Sequence, residues 1–179
     1  MARGGNEIMK VIVTGELGAG KSTVVRSALK KLGWVAPGGF FTHWDGAGRG
    51  ADTLCFETWS GEKHPMARRV AVPAGAGGLP YELDRANFTR LAVASLADAA
   101  GGRPVVLDEL GLIELDAAEF PEAVAKLFRG TAPVLAVIQQ RALERWLGIL
   151  GPRVEPRILR VEPATRAALS AEIVALFKS

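Results

Sequence analysis

The sequence has few cysteines and histidines and no long apolar run, which are the features of disulfide-rich, zinc-binding and membrane proteins. Cys55 is the one cysteine among 179 residues, so no internal disulfide can form. The two histidines, His43 and His64, lack a usual zinc-ligand spacing with Cys55, and no zinc site is expected. No apolar run reaches the roughly 18–20 residues of a membrane helix, and the N-terminus lacks the apolar core of a signal peptide. These absences predict a cytoplasmic protein without membrane contact.

A strong excess of charge is missing as well. The chain has 22 lysines and arginines against 19 aspartates and glutamates, a net charge of +3. Basic clusters with interleaved aromatics are absent from the sequence, so nucleic-acid binding is not expected. A hydrophobic content of 49% is typical of a globular protein. The length predicts one domain over residues 1–179.

A glycine-rich motif between Lys10 and Ser22 is the strongest signal in the chain. It opens with three apolar β-branched residues, which predict a buried strand. The pattern G-x-x-x-x-G-K-[ST] follows, with Gly15, Gly20, Lys21 and Ser22 in the defined positions. After a strand and before a helix, this Walker A pattern cradles phosphate in backbone N–H groups, and its lysine and serine reach the phosphates and Mg²⁺. The predicted nucleotide-binding residues are Gly15, Glu16, Leu17, Gly18, Ala19, Gly20, Lys21, Ser22 and Thr23.

A second apolar run, 104–107, ends in two carboxylates, Asp108 and Glu109, which is the Walker B pattern. We expect this strand to lie beside the P-loop strand, so that Asp108 shares the Mg²⁺ with Ser22. Glu109 then projects toward an attacking water and, with Lys21, is a predicted catalytic residue. The alternative is an ordinary strand that ends in charged loop residues.

Four further side chains are candidates for the same site. Glu114 either positions the site or pairs with an arginine. Gln139 follows the apolar strand 134–138, where a polar group can sense the γ-phosphate. Arg141 either supplies positive charge in the transition state or lies on the surface. Arg49, at the tip of a glycine-rich loop, either reaches the nucleotide or is solvated.

Strands alternating with helices predict an α/β fold, a mainly parallel sheet with helices on both faces and the ligand at the strands' C-terminal ends. A β-hairpin, with strands at 40–44 and 53–59, is predicted as an insertion over about 38–60. The other predicted elements are a helix over 21–32 capped by Gly33, a strand over 67–72, an irregular connection over 73–80, a helix from Asp84 to Gly101-Gly102, a helix from Asp116 or Pro121 to Phe128, a strand over 134–138, a loop over 148–155, a strand over 157–161, and an amphipathic helix from Pro163.

The order GELGAGKS, GGFFTHWDGAGRG, LPYELDRANF, VVLDELGLIEL and VLAVIQ resembles the THEP1-type nucleoside-triphosphatases over nearly the whole chain. The resemblance implies a one-domain, three-layer P-loop NTPase fold and hydrolysis of nucleoside triphosphates with little base selectivity. It also implies Gly15 to Ser22 as the phosphate loop, Asp108 as the Mg²⁺ partner and Glu109 as the water-activating acid. The chain departs from the family pattern at four places: Leu17 stands where the family has proline, Phe41 where it has tyrosine, Ile113 where it has methionine, and Thr165-Arg166 where it has Asn-Arg. The last departure leaves a contact between Arg166 and the base in question.

Three functions are compatible with these motifs. The leading hypothesis is a Mg²⁺-dependent nucleoside-triphosphatase whose partners are nucleoside triphosphates. A nucleotide-kinase-type phosphotransferase would need an acceptor pocket and an arginine-bearing lid, for which the sequence has no recognisable signature. A nucleotide-dependent module that binds a protein partner, with slow hydrolysis as its timer, would use the same site residues.

Overall fold

The computed structural model describes residues 9–45, 52–71, 81–117 and 119–179. The predicted hairpin tip with Arg49 and the predicted irregular connection at 73–80 lie outside these ranges. The strands are β1 Lys10–Thr14, β2 Gly38–Asp45, β3 Thr53–Thr58, β4 Lys63–Arg69, β5 Tyr81–Leu83, β6 Val105–Leu110, β7 Val134–Ile138 and β8 Arg157–Arg160. The α-helices are α1 Lys21–Leu32, α2 Arg85–Ser95, α3 Leu112–Leu115, α4 Phe120–Arg129, α5 Leu143–Leu150 and α6 Arg166–Lys178.

The eight strands form one sheet in the order β5-β4-β3-β2-β6-β7-β1-β8. Strands β2, β6, β7, β1 and β8 are parallel, and β3, β4 and β5 extend the β2 side as antiparallel neighbours. The expectation that the Walker B strand lies beside the P-loop strand is wrong, because β7 pairs with both β6 and β1 and separates them. The mainly parallel α/β sheet and the hairpin are confirmed.

Separate apolar clusters cover the two faces of the sheet. Strand β1 contributes side chains to both clusters. Val11 and Val13 face one cluster and Ile12 between them faces the other, because side chains alternate between the two faces along a strand. One cluster is aromatic, and the Phe40 and Phe56 ring centroids lie 4.4 Å apart. The large, fully buried rings of that face are Phe40, Phe56, Phe88, Phe120 and Trp146. Helices α2, α4 and α5 cover this face, and α1 and α6 cover the other.

Strand β2 approaches β6 very closely at Gly39. The backbone φ of Gly39 is +88°, and a Cβ atom there would contact the Val106 carbonyl oxygen. That oxygen also accepts a hydrogen bond from the Trp59 indole Nε1–H at 2.9 Å. Glycine is therefore required for the hairpin's first strand to join the parallel sheet, which brings the hairpin beside the Walker B strand.

Several predicted boundaries differ from the structure. The predicted loop over 148–155 is wrong at its start, because α5 runs to Leu150. The last helix begins at Arg166, not Pro163, which lies in the preceding turn. The strand predicted at 67–72 starts earlier, at Lys63. Helix α1, its Gly33 cap and the Asp84 cap of α2 are confirmed. In the described ranges, every helix is too short or too polar to cross a bilayer.

Candidate functional site

The phosphate-loop residues form a tight turn at the C-terminal end of β1. Gly15, Gly18 and Gly20 have φ values of 150°, 77° and 92°, of which the last two lie in the left-handed region that favours glycine. Helix α1 then begins at Lys21, and its first turn carries no acidic side chain. The unbonded N–H groups at this helix start and the positive end of its dipole suit an anion such as phosphate.

Lys21 is buried, and its ammonium is held by three oxygens. Its Nζ donates to the backbone carbonyls of Gly15 at 3.1 Å and Glu16 at 3.0 Å. The third contact is an ion pair with Glu109 Oε1 at 3.2 Å. The structure therefore joins the two predicted catalytic residues directly, although 88 positions separate them in the chain.

Ser22 and Asp108, the predicted metal ligands, also meet. The Ser22 hydroxyl donates to Asp108 Oδ1 at 3.1 Å. Burial raises the pKa of Asp108 to about 6, against the opposing effect of the Ser22 hydrogen bond. A hydroxyl and a nearly buried carboxylate are hard oxygen donors, so this pair fits a divalent cation of the Mg²⁺ type.

Glu109 leaves the regular ladder at the end of β6. The pairing of β6 with β7 shifts register between Asp108 and Leu110. The side chain of Glu109 is 24% exposed, and it lines a pocket of about 190 Å³ together with phosphate-loop residues. A carboxylate at the edge of an open cleft can accept a hydrogen bond from a water molecule that lies next to a bound phosphate.

Glu114 holds the loop that follows Glu109. Its Oε2 accepts a hydrogen bond from the Gly111 N–H at 2.7 Å, and the Trp146 indole donates to the Gly111 carbonyl at 3.1 Å. Gln139 packs so closely that a Cβ at Gly111 would lie 2.7 Å from its amide. Of the two predicted roles for Glu114, positioning agrees better with this hydrogen bond, which comes from backbone rather than from an arginine. Burial raises the pKa of Glu114 to about 7.

The other candidate residues, Gln139, Arg141 and Arg166, lie at two different places around the phosphate loop. Gln139 and Arg141 line the same pocket as Lys21 and Glu109, and the Arg141 Nε–H donates to Gln139 Oε1 at 3.1 Å. Arg166 is not among the residues that line this pocket, but it lies beside the phosphate loop, where a Cβ at Gly20 would be 2.7 Å from Arg166 Cδ. Arg49 lies outside the described residues.

Arg26 and Gln140 were not identified by sequence analysis. The Arg26 guanidinium lies 4.6 Å from the Phe41 ring centroid and 5.7 Å from that of Trp59. Burial raises the pKa of Asp108, and the Arg26 charge opposes part of that rise. Arg26 is four residues after Ser22, a spacing that places both on one helix face and that was the available signal. Gln140 lines the pocket, one position after the predicted Gln139.

Comparison with known proteins gives a consistent result. The sequence profile of a family described as NTPase matches residues 10–174. Nucleoside-triphosphatase THEP1 of Thermotoga maritima is 26% identical over 171 residues, which cover 95% of this chain and 96% of that protein. Nucleoside-triphosphatase THEP1 of Thermotoga petrophila is 30% identical over 138 residues, covering 74% and 73%.

Two solved structures share the fold. The crystal structure of THEP1 from Aquifex aeolicus superposes with a TM-score of 0.77 at 24% identity, covering 96% of this chain and 100% of that one. The solution structure of a human cancer-related nucleoside triphosphatase gives a TM-score of 0.74 at 26% identity, covering 93% and 96%. The three-layer P-loop fold expected from the sequence is thereby confirmed.

Proposed function

This chain belongs to the NTPase family and is a nucleoside-triphosphatase, and we propose that it hydrolyses nucleoside 5′-triphosphates to diphosphate and phosphate. In this proposal the metal is Mg²⁺, and the protein has little selectivity for the base. The observation that carries the mechanism is the ion pair between Lys21 and Glu109. This contact supports a mechanism in which a phosphate-binding cation and a proton acceptor act at one point of the cleft.

In this mechanism the phosphate loop binds the triphosphate through backbone N–H groups at the start of α1. Lys21 turns from Glu109 toward the β- and γ-phosphate oxygens, which compete for its charge. Glu109 then loses its ion-pair partner and accepts a proton from the attacking water. Phosphoryl transfer depends chiefly on positioning and charge stabilisation, so these groups are sufficient.

Ser22 and Asp108 would hold the Mg²⁺, which when bound draws charge from the phosphate oxygens. The preference for Mg²⁺ over softer metals rests on the all-oxygen character of these two ligands. Arg141 reaches the same pocket and supplies positive charge for the transferring phosphoryl group.

Low base selectivity is supported by Arg166. Arg166 is exposed, and its side chain lies against Gly20 of the phosphate loop. A guanidinium plane stacks on any nucleobase, because every base has a π-face. A contact of this kind holds the nucleoside without reading its hydrogen-bonding edge.

The test is Glu109→Gln, with Glu144→Gln on the exposed surface of α5 as the matched control. Glutamine preserves the shape of Glu109 but neither accepts the proton nor pairs with Lys21. We expect turnover at least about a hundredfold slower, with triphosphate affinity equal to or tighter than that of the wild type. Phosphate release and calorimetric titration measure the two effects for ATP, GTP, CTP and UTP.

Three results would each contradict a part of the proposal. Near-normal phosphate release by Glu109→Gln would remove its role as the base. Faster transfer to a nucleoside or nucleoside monophosphate than to water would show a phosphotransferase. A spread of more than about tenfold in kcat/KM across the four triphosphates would contradict low base selectivity, since tenfold corresponds to about 1.4 kcal/mol of discrimination.

A further inference from the structure

The hairpin formed by β2 and β3 carries a second group of metal-binding side chains, away from Ser22 and Asp108. One ligand atom each from His43, Asp45 and Cys55 lies within 4.8 Å of the others. His43 and Cys55 are direct cross-strand partners in the antiparallel register, so their side chains project from the same face. Asp45 is two residues beyond His43 and shares that face. Strand pairing thus assembles a group that linear spacing did not indicate.

The chemistry of this donor set differs from that of the Ser22–Asp108 pair. A thiolate, an imidazole nitrogen and a carboxylate oxygen are the three ligand types that Zn²⁺ uses in proteins, and they are softer than the oxygens preferred by Mg²⁺. In a tetrahedral zinc site, neighbouring ligand atoms are about 3.5 Å apart, as follows from Zn–ligand distances of about 2.0–2.3 Å. The Cys55 Sγ and Asp45 Oδ2 atoms are 4.0 Å apart, close to that separation.

The histidine is oriented as a ligand. Its Nδ1 atom is buried and has no hydrogen-bond partner in the described part of the chain. Its Nε2 atom faces the Glu57 carboxylate at 3.9 Å. A carboxylate on that side favours the tautomer with the proton on Nε2, which leaves the Nδ1 lone pair free. A metal-binding histidine commonly has a carboxylate beside its other nitrogen in this way.

A cation already contacts the carboxylate of this cluster. Lys63 Nζ lies 2.6 Å from Asp45 Oδ2, so a positive charge is accommodated at this position. Both partners are about half exposed, at 43% and 54%, and such a surface pair contributes little stability. A metal ion can therefore displace the ammonium at small cost, and the displaced Lys63 remains solvated.

We propose that His43, Asp45 and Cys55 bind one Zn²⁺ ion, with water in the fourth position, at a site separate from the Mg²⁺ site of the nucleotide cleft. On binding, the Cys55 thiol releases its proton to solvent and coordinates as a thiolate. The ion ties β2 to β3 across the hairpin, beyond the level of Asp108, whose cross-strand partner on β2 is Phe41.

The test is titration of the full, tag-free chain with Co²⁺ as a spectroscopic substitute and with Zn²⁺ in competition, in excess Mg²⁺. Because Cys55 is the one cysteine, a thiolate-to-Co²⁺ charge-transfer band assigns that ligand directly. We expect one Co²⁺ per chain, with a tetrahedral d–d spectrum, displaced by one Zn²⁺. Excess Mg²⁺ should leave the titration unchanged.

Variants separate a built site from chance binding. Asp45→Asn alters an exposed side chain and should weaken Zn²⁺ binding at least about tenfold without affecting folding, and His43→Gln should do the same. Cys55→Val should abolish the charge-transfer band, and circular dichroism checks that each variant is folded. His64→Gln changes the other histidine and is the matched control, with unchanged affinity.

Lys63→Met gives the opposite expected sign. It removes the competing ammonium while keeping an aliphatic side chain, and it should tighten Zn²⁺ binding several-fold. Absence of the charge-transfer band in the wild type would overturn the proposal. So would equal Zn²⁺ affinity in Asp45→Asn, His43→Gln and His64→Gln, or displacement of Co²⁺ by Mg²⁺.

Discussion

Glu114 makes the stability of this protein depend on pH in a direction that can be calculated. Its carboxyl group is 4% exposed, and burial raises its pKa from 4.5 to about 7, with a further upward contribution from the Glu109 charge. Between these two values the folded state binds more protons than the unfolded state. The stabilisation is therefore complete below about pH 4.5 and is lost as pH rises through about 7.

The size of the effect follows from the pKa difference. The rise in the pKa of Glu114 from 4.5 to about 7 corresponds to roughly 3 kcal/mol at full extent, most of it between pH 5 and pH 8. Tyr81 also faces this carboxyl group, and burial together with the Glu114 charge raises the pKa of Tyr81, which keeps the phenol neutral over that interval. Glu109 is the other ionisable neighbour that acts on Glu114.

The perturbation is Glu114→Gln, which retains an acceptor for the Gly111 N–H but does not titrate. Urea unfolding at several pH values should show the wild type losing roughly 2 to 3 kcal/mol of stability relative to the variant between pH 5 and pH 8. Titrating groups that do not act on Glu114, including Asp108, are common to both proteins and cancel in the difference. Glu122→Gln, at a side chain that is 76% exposed, is the control and should follow the wild type. Parallel curves for the wild type and Glu114→Gln, within about 0.5 kcal/mol, would refute the reasoning.

Two further predictions concern the metal and the backbone. Phosphate release should stop in EDTA and return with Mg²⁺ or Mn²⁺. It should also fall at least about a hundredfold in Asp108→Asn, because this variant loses a hard carboxylate ligand. Full turnover in EDTA would contradict this prediction. Gly39→Ala should lower the free energy of unfolding by about 2 kcal/mol or more, measured by urea denaturation, because its new Cβ meets a β6 carbonyl. Gly61 has φ +97° with open space around it, so Gly61→Ala reports the backbone strain alone, and equal losses in the two variants would exclude the clash.

Local sequence was sufficient to predict the phosphate loop. The motif from Gly15 to Ser22 depends on glycines that permit left-handed backbone and on a helix that starts immediately afterwards. Both properties are encoded by neighbouring residues, and the boundaries of α1 and its Gly33 cap were predicted correctly for the same reason. The THEP1-type resemblance also came from short, contiguous motifs.

Weakly encoded boundaries were less accurate. Gly148 and Gly151 suggested a loop over 148–155, but Trp146 is fully buried and donates to the Gly111 carbonyl. That tertiary contact holds the apolar face of α5 on the core and extends the helix to Leu150. The gain from burying a large ring exceeds the roughly 1 kcal/mol cost of one glycine in a helix.

The sequence alone therefore indicated the residues predicted to bind phosphate, the pair of carboxylates in Asp108-Glu109, and the α/β alternation, because each depends on residues adjacent in the chain. The order of strands depends on crossovers, and only the tertiary structure showed that β7 lies between β6 and β1. The same is true of side chains that meet from distant elements. Lys21, at the start of α1, meets Glu109 on β6 through the order of the strands that precede them. His43 meets Cys55 through the register of β2 and β3, which linear spacing does not specify.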